Sequence, residues 1–455
     1  MRKNILLLVS TLIIFWILYT VFQKDAIYHN SLEKVIAPYE QNNNWPQNIP
    51  ITKYKSFSNN DFVQWDSKHY FNISQNGYNI DAAGGDYIFA FFPLFPALIN
   101  ILHLSPLATL FFNYILFSIS ILLLLKLLVP TKMQFKYLLI YLTFPFIIIF
   151  FVPYTEALYF FLLTITLYGF IKDKYWIFFI GMLLAATTRP SISILLLSLI
   201  ATEVFFFIKD KKLLETLQKV FFITLPLIIG TVIVSVIQLY YGSKNIFKFI
   251  EVQKYWDNKL DVPHYLRDWS YEGFSINIGV IFLIFIPLLM VIFQLLIKQF
   301  SRKSDGEIFK SNIKTDYLLI LSIIYIIGNT LFILLFRGGG LQCLFRFSLA
   351  SPFFAILMFL GVNYIKEFAL NYRVFVFGIL SLFAIFTLAL TPFSTYWHFS
   401  DMGLFIIITS MGLYFFNDLS ENNIYKIILY SNFFVNIIWT TFLFNTFLTG
   451  RTLFL

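Results

Sequence analysis

The run Trp65-Asp66-Ser67-Lys68-His69-Tyr70, continuing to Gly77-Tyr78, sets a carboxylate and an imidazole three residues apart between aromatic rings. On a helix, positions 66, 69 and 70 share a face, so Asp66 and His69 would be presented together. A carboxylate near an apolar boundary is raised in pKa, or is held ionised by a neighbouring cation or metal. Either state suits a general base that takes a proton from a sugar hydroxyl. The competing reading is a solvated loop with interfacial aromatics, which membrane proteins favour.

Four further groups could do chemistry. Asp86 stands directly before the apolar, proline-stiffened run from Tyr87 to Pro96. There it would face a headgroup layer, or cap a helix. Glu156 follows Pro153-Tyr154-Thr155. An acid in a membrane span costs about 2.5–3.5 kcal/mol and usually faces a partner or a cavity, although the first turn of a helix favours an acid by itself. Arg189, in Thr187-Thr188-Arg189-Pro190-Ser191, has no acid beside it in sequence. Its guanidinium could fork onto the phosphate of a lipid or snorkel to the headgroups. Arg337 and Arg346 flank Gly338-Gly339-Gly340-Leu341-Gln342, which reads as a phosphate cradle or as a tight turn between helices. The segment 242–275 adds Gln253, Tyr255, Trp256, Asp257, His264 and Trp269. Such a set suits stacking on sugar rings, or plain anchoring at the interface.

These residues must be positioned by a membrane protein. Of 455 residues, 59% are hydrophobic and only 13% charged, against about 25% charged in soluble domains. So little charge cannot cover a water-facing surface. Apolar runs of roughly 20 residues recur, as transmembrane helices require, and the alternating segments of about 10 residues expected of a barrel are absent. The single Cys343 allows no internal disulfide. The five histidines, His29, His69, His103, His264 and His398, have no zinc spacing. The net charge of +9 is what membrane sidedness demands of basic connectors and is not a nucleic-acid signal.

Asn4–Phe22 reads as an uncleaved first helix, with Arg2 and Lys3 on its cytoplasmic side. Later helices are expected at 106–129, 136–152, 154–171, 175–189, 190–208, 220–241, 276–298, 317–336, 345–365, 373–391, 402–416 and 424–446. That makes about 13 crossings in one domain spanning 1–455, with a long first outer loop over 24–88 and a second over 242–275. The basic connectors at 172–174, 209–212, 302–314 and 366–373 then fall inside. Asp66, Glu156, Arg189, the segment 242–275 and Arg346 fall outside. The proline-broken stretch 89–104 must enter and leave on one face, as a re-entrant or interfacial segment lining a cavity does. No paired halves with matched motifs are visible, which weighs against a transporter built on inverted repeats.

Together these motifs resemble a family. Trp65-Asp66-x-x-His69-Tyr70 with Gly77-Tyr78, followed by Ala90-Phe91-Phe92-Pro93-Leu94-x-Pro96, is similar to the PIG-V type of GPI mannosyltransferase, above all its bacterial relatives. Tyr154-Thr155-Glu156-Ala157-Leu158, Ala186-Thr187-Thr188-Arg189-Pro190, Tyr241-Gly242 with Phe249 and Gln253, and the stretch Gln342 to Pro352 continue the likeness in order over most of 60–355. The sequence departs from the pattern by about five extra residues near Ala82 to Gly85, by Ser243-Lys244 after Gly242, by Pro190 after the arginine, and by Asp86 where a glutamate is usual.

The resemblance implies a GT-C glycosyltransferase fold and an inverting transfer of a sugar, usually mannose, from a polyprenyl-phosphate donor. The acceptor would be a cell-envelope glycan or glycolipid on the outer face of a bacterial cytoplasmic membrane; the Ile-, Phe-, Asn- and Lys-rich composition suits an AT-rich bacterial genome. Asp66, His69 and Asp86 are then the expected catalytic set. Trp65, Tyr70, Tyr154, Glu156, Arg189, Gln253, Trp256, Gln342 and Arg346 are expected to bind substrate. A divalent metal ion between Asp66 and Asp86 is left open. A transporter or flippase for a lipid-phosphate-linked substrate is the alternative.

Overall fold

The computed structural model describes residues 1–24, 59–190, 192–256, 258, 260, 274–301, 313–336, 344–390 and 402–448, and all regular structure among them is helical. Helices are what an apolar solvent allows, because each backbone donor and acceptor is satisfied within its own segment. In chain order they are α1 (Arg2–Lys24), α2 (Asp66–Asn76), α3 (Ile80–Ala83), α4 (Leu94–Ile101), α5 (Pro106–Leu128), α6 (Gln134–Leu142), α7 (Glu156–Ile171), α8 (Tyr175–Ala186) and α9 (Ile192–Asp210). There follow α10 (Leu213–Tyr240), α11 (Lys248–Glu251), α12 (Phe274–Ser301), α13 (Ile313–Phe336), α14 (Leu344–Leu349), α15 (Pro352–Ile365), α16 (Leu370–Leu390), α17 (Met402–Phe415) and α18 (Asn423–Leu448).

Among the described residues, six segments are long and apolar enough to cross a membrane: Arg2–Thr20, Pro106–Leu128, Leu213–Tyr240, Gly279–Leu296, Lys314–Phe336 and Asn423–Asn445. Six shorter apolar helices pack with them. The chain is thus an all-α protein with the helices of a multi-pass membrane protein.

Two expected helices are broken. The stretch 136–152 is α6 followed by a 3-10 turn over Ile147–Phe151, and 345–365 is split into α14 and α15. The breaks free carbonyl groups, and side-chain amides from neighbouring helices take them up. Asn436 Nδ2 donates to Leu142 O at 2.8 Å and Phe144 O at 3.0 Å. Asn113 Nδ2 donates to Val152 O at 2.7 Å and Tyr154 O at 2.9 Å. Asn329 Nδ2 donates to Phe347 O at 2.6 Å. Non-helical backbone inside a bundle survives through such substitutes.

The stretch expected to enter and leave on one face is the short α4. Its 8 residues reach ~12 Å, far less than a bilayer's ~30 Å. Leu94 N donates to Thr187 O at 3.1 Å at its start, and Asn100 Nδ2 donates to Ser74 O at 2.5 Å near its end. Both partners belong to segments that carry Asp66 and Arg189.

The helices approach closely where side chains are small. A Cβ on Gly181 of α8 would lie 2.6 Å from Thr166 Oγ1 of α7, and one on Gly230 of α10 would lie 2.6 Å from the Ala186 Cβ of α8. Small residues at interfaces let membrane helices pack backbone to backbone.

Polar groups collect at two ends of this bundle. Glu156 opens α7; Ile171, at its other end about 24 Å away by helix rise, accepts from Lys314 Nζ at 3.0 Å. The same lysine pairs with Asp173. Arg373 grips Asp418 with bonds of 2.7 and 2.6 Å, and Lys136 Nζ donates to Ser420 Oγ at 2.9 Å. Lys314 and Asp173, from stretches expected on one side, therefore meet at the end of α7 remote from Glu156.

Candidate active site

Four separate segments deliver one ion network. Asp66 is the first residue of α2, Glu156 the first of α7, Arg189 lies just past α8, and Arg346 sits in α14. Arg346 Nη2 pairs with Asp66 Oδ2 at 2.6 Å, and its Nε donates to Glu156 Oε1. Arg189 Nη1 reaches the same Oε1 at 2.8 Å. Both acids occupy helix first turns, where the dipole favours negative charge. The guanidinium carbon of Arg346 is 4.4 Å from the Tyr154 ring centroid, and that of Arg189 is 5.3 Å from the Phe347 centroid. The rings restrict water access and hold both forks in place.

Two cations and two carboxylates balance. Such burial is tolerable only as a complete set, because one unmatched charge would carry an uncompensated desolvation cost. The side chains open toward solvent in order: Glu156 is 1% exposed, Arg346 12%, Arg189 17% and Asp66 30%. Glu156 is thus the buried anchor and Asp66 the accessible end. Neither arginine snorkels away. The partner of Arg189 that its sequence neighbourhood lacks is Glu156, 33 positions upstream (189 − 156).

The local frame of Asp66 is set at both ends of α2. Trp65, at φ 52°, turns the chain into the helix, and Gly77, at φ 63°, ends it. A Cβ on Gly77 would also fall 2.9 Å from the Tyr241 ring. Tyr70 is buried beneath Asp66, its hydroxyl 3.4 Å from Thr155 Oγ1. Burial, and then the charges of Asp66 and Glu156, push its phenol far above the usual range. It stays a neutral hydroxyl. Trp65 is exposed.

His69 lies one turn from Asp66, as its spacing predicts, with its ring stacked on Phe91 at 4.4 Å and edge-on to Tyr87 at 5.4 Å. Burial pulls its pKa below the ordinary value; the Asp66 charge opposes this and Lys68 reinforces it. The imidazole is therefore neutral at neutral pH and able to accept a proton or a hydrogen bond.

Asp86 belongs to a second cluster. Lys248 Nζ lies 2.7 Å from Asp86 Oδ2, and the Tyr255 hydroxyl donates to Oδ1 at 2.8 Å. Asp86 is no helix cap: its side chain reaches across the chain, and both partners hold its carboxyl below the usual range. Lys248 also binds Glu251 at 2.9 Å and is raised above its ordinary value by the two acids. Rings join the two clusters. Trp256 stands edge-on to Phe91 at 5.9 Å and to Tyr87 at 6.5 Å, on the strip that carries His69. Behind them, Gln238 of α10 donates to Phe89 O at 2.7 Å and ties the root of the second loop to the first.

Gln253 is used locally, donating to Phe249 O at 3.1 Å and accepting from Asn258 Nδ2 at 2.9 Å. Gln342, with Arg337, Asp257, His264 and Trp269, lies outside the described residues. Lys248 escaped the sequence reading. Its one local signal is Glu251 three residues later on a helical turn, and nothing local points to Asp86.

The residues present do not fit a divalent ion between Asp66 and Asp86. Each acid already faces a cation of the protein, and no group of three or more His, Cys, Asp or Glu side chains gathers among the described residues. Comparison with family models, curated proteins and solved structures finds no match to this chain. The chemistry open to the site is what its own groups supply. An accessible carboxylate and a neutral imidazole can accept protons, two fixed guanidiniums can hold an oxyanion, and flat rings can stack on a sugar.

Proposed function

We propose that the chain is an inverting membrane glycosyltransferase with a GT-C fold of about 13 crossings. It would move a sugar, with mannose the first choice, from a polyprenyl-phosphate donor to a cell-envelope glycan or glycolipid on the outer face of a bacterial cytoplasmic membrane. The observation that carries this reading is the convergence of Asp66, Glu156, Arg189 and Arg346 from four segments on one end of the bundle.

In this reading the acceptor hydroxyl lies between Asp66 and His69. Asp66 takes its proton as the hydroxyl oxygen bonds to the anomeric carbon from the face opposite the phosphate. The bond between that carbon and the phosphate oxygen breaks, and its electron pair leaves with the lipid phosphate. Charge grows on the leaving oxygen, where Arg189 and Arg346 stabilise it; a lost donor in such a site typically costs about 10²–10³ in rate. His69 orients the hydroxyl, and Tyr87, Phe91 and Trp256 supply ring faces for the sugars. Asp86, paired with Lys248 and Tyr255, orders the wall and takes no proton.

A flippase would move its lipid without forming a new glycosidic bond, and functional charges near mid-membrane would be expected of it. The charges here crowd the helix ends, which supports the enzyme. The test is purified protein in liposomes supplied with polyprenyl-phosphate mannose and a membrane glycolipid extract. New glycosidic product of inverted anomeric configuration supports the reading. Lipid movement without product, across several lipid-phosphate sugars, contradicts it.

A further inference from the structure

We infer that Arg346 is a latch on Asp66 that an arriving lipid phosphate opens. This rests on the proposed transfer reaction and adds an order to it. The guanidinium of Arg346 is already divided, Nε to Glu156 and Nη2 to Asp66 at 2.6 Å. Glu156 also holds Arg189, so among the described residues two guanidiniums meet two carboxylates. A phosphate cannot take the Nη2 edge of Arg346 without displacing Asp66, as both are anions seeking the same donors.

The exposure gradient fixes which bond yields. Glu156 is 1% exposed and shared by two arginines, whereas Asp66 is 30% exposed and, among the described residues, meets Arg346 through Nη2. A phosphate entering from the open end meets the Asp66 bond first. Arg346 stays anchored through Nε to Glu156 and against the Tyr154 ring, so it pivots without leaving. Release has two consequences. The phosphate gains a fixed fork next to Arg189. Asp66 loses its guanidinium partner, and its Oδ2 is freed to accept a hydrogen bond from the acceptor hydroxyl. The donor therefore binds before the acceptor hydroxyl can reach that oxygen.

The latch makes Asp66 a competitor of the phosphate. Affinity for polyprenyl phosphate is measured on the full-length protein in nanodiscs, beside polyprenol and inorganic phosphate, for wild type, Asp66→Asn and Asp66→Ser. The expected result is that the wild type binds polyprenyl phosphate and both variants bind it more tightly, by about tenfold. Inorganic phosphate should show the same ordering at lower affinity, while polyprenol is indifferent to the substitution. Two variants guard against a folding defect in one, with the melting temperature checked for each. If the wild type binds the lipid phosphate and neither variant binds it more tightly, the latch is wrong while the transferase reading stands. If inorganic phosphate binds but the lipid form does not, or if neither binds, the lipid-phosphate donor falls and the latch with it.

Discussion

Asp66 and Glu156 are both acids in helix first turns, yet their surroundings divide their roles. Glu156 is enclosed and holds two guanidiniums. Replacing it by glutamine leaves Arg189 without its charged partner. Breaking a buried pair in this way costs about 3–5 kcal/mol, so Glu156→Gln should lower the melting temperature in detergent well below that of Asp66→Asn. Equal melting temperatures would show that Glu156 is not the anchor. His69 gives a pH signature. Its pKa is lowered by burial, so it charges at a lower pH than a free histidine. Any stability it contributes is present above the ordinary value of about 6.5 and is lost as pH falls through the lowered one. Transfer should hold through about pH 6.5 and fall only at lower pH, and His69→Asn should remove that limb. A limb above pH 7 would contradict a depressed value.

The candidates at these positions were legible because short-range spacing carries them: 66 and 69 on one helical face, 156 at a helix start, 346 beside a glycine run. Their pairing was not legible. Asp66 and Arg346 are 280 positions apart and Asp86 and Lys248 are 162 apart, and no local rule joins them. Arg189 illustrates the gap. Without its Glu156 it looks like a bare phosphate-binding cation.

Helix positions followed the apolar runs, while the breaks inside them did not. The run 136–152 carries Pro145 in its break, where the chain cannot continue α6, and Asn113, Asn436 and Ser410, from distant helices, take up the freed carbonyls. A polar amide inside a greasy helix is the trace such a break leaves in sequence. The pairing of the second loop with the first makes its own prediction. Lys248 and Tyr255 hold the Asp86 carboxyl low, so their contribution to stability is present above the ordinary aspartate value and lost as pH falls through the depressed one. Lys248→Met should flatten the acid slope of thermal unfolding below about pH 4. An unchanged slope would show that the ion pair contributes nothing to holding the two loops together.

The whole molecule is polarised. The network of Asp66, Glu156, Arg189 and Arg346 marks one end of α7, and Lys314 with Asp173 the other. Basic connectors favour the cytoplasm, which would put the candidate site outside. Single cysteines at Lys68 and Lys172, in a Cys343→Ser background, test this with a membrane-impermeant maleimide on sealed right-side-out vesicles. Position 68 should label and position 172 should not. Labelling of 172 alone would invert the orientation and the choice of donor face.

The central claim is that Asp66 drives transfer from a lipid-phosphate sugar. Its most direct test is transfer from polyprenyl-phosphate mannose by wild type and Asp66→Asn protein at matched melting temperature. Robust transfer by the wild type and a loss of about 10²–10³ or more in the variant is expected. Equal rates in the two proteins would remove Asp66 from the chemistry and leave the ion network a structural clasp.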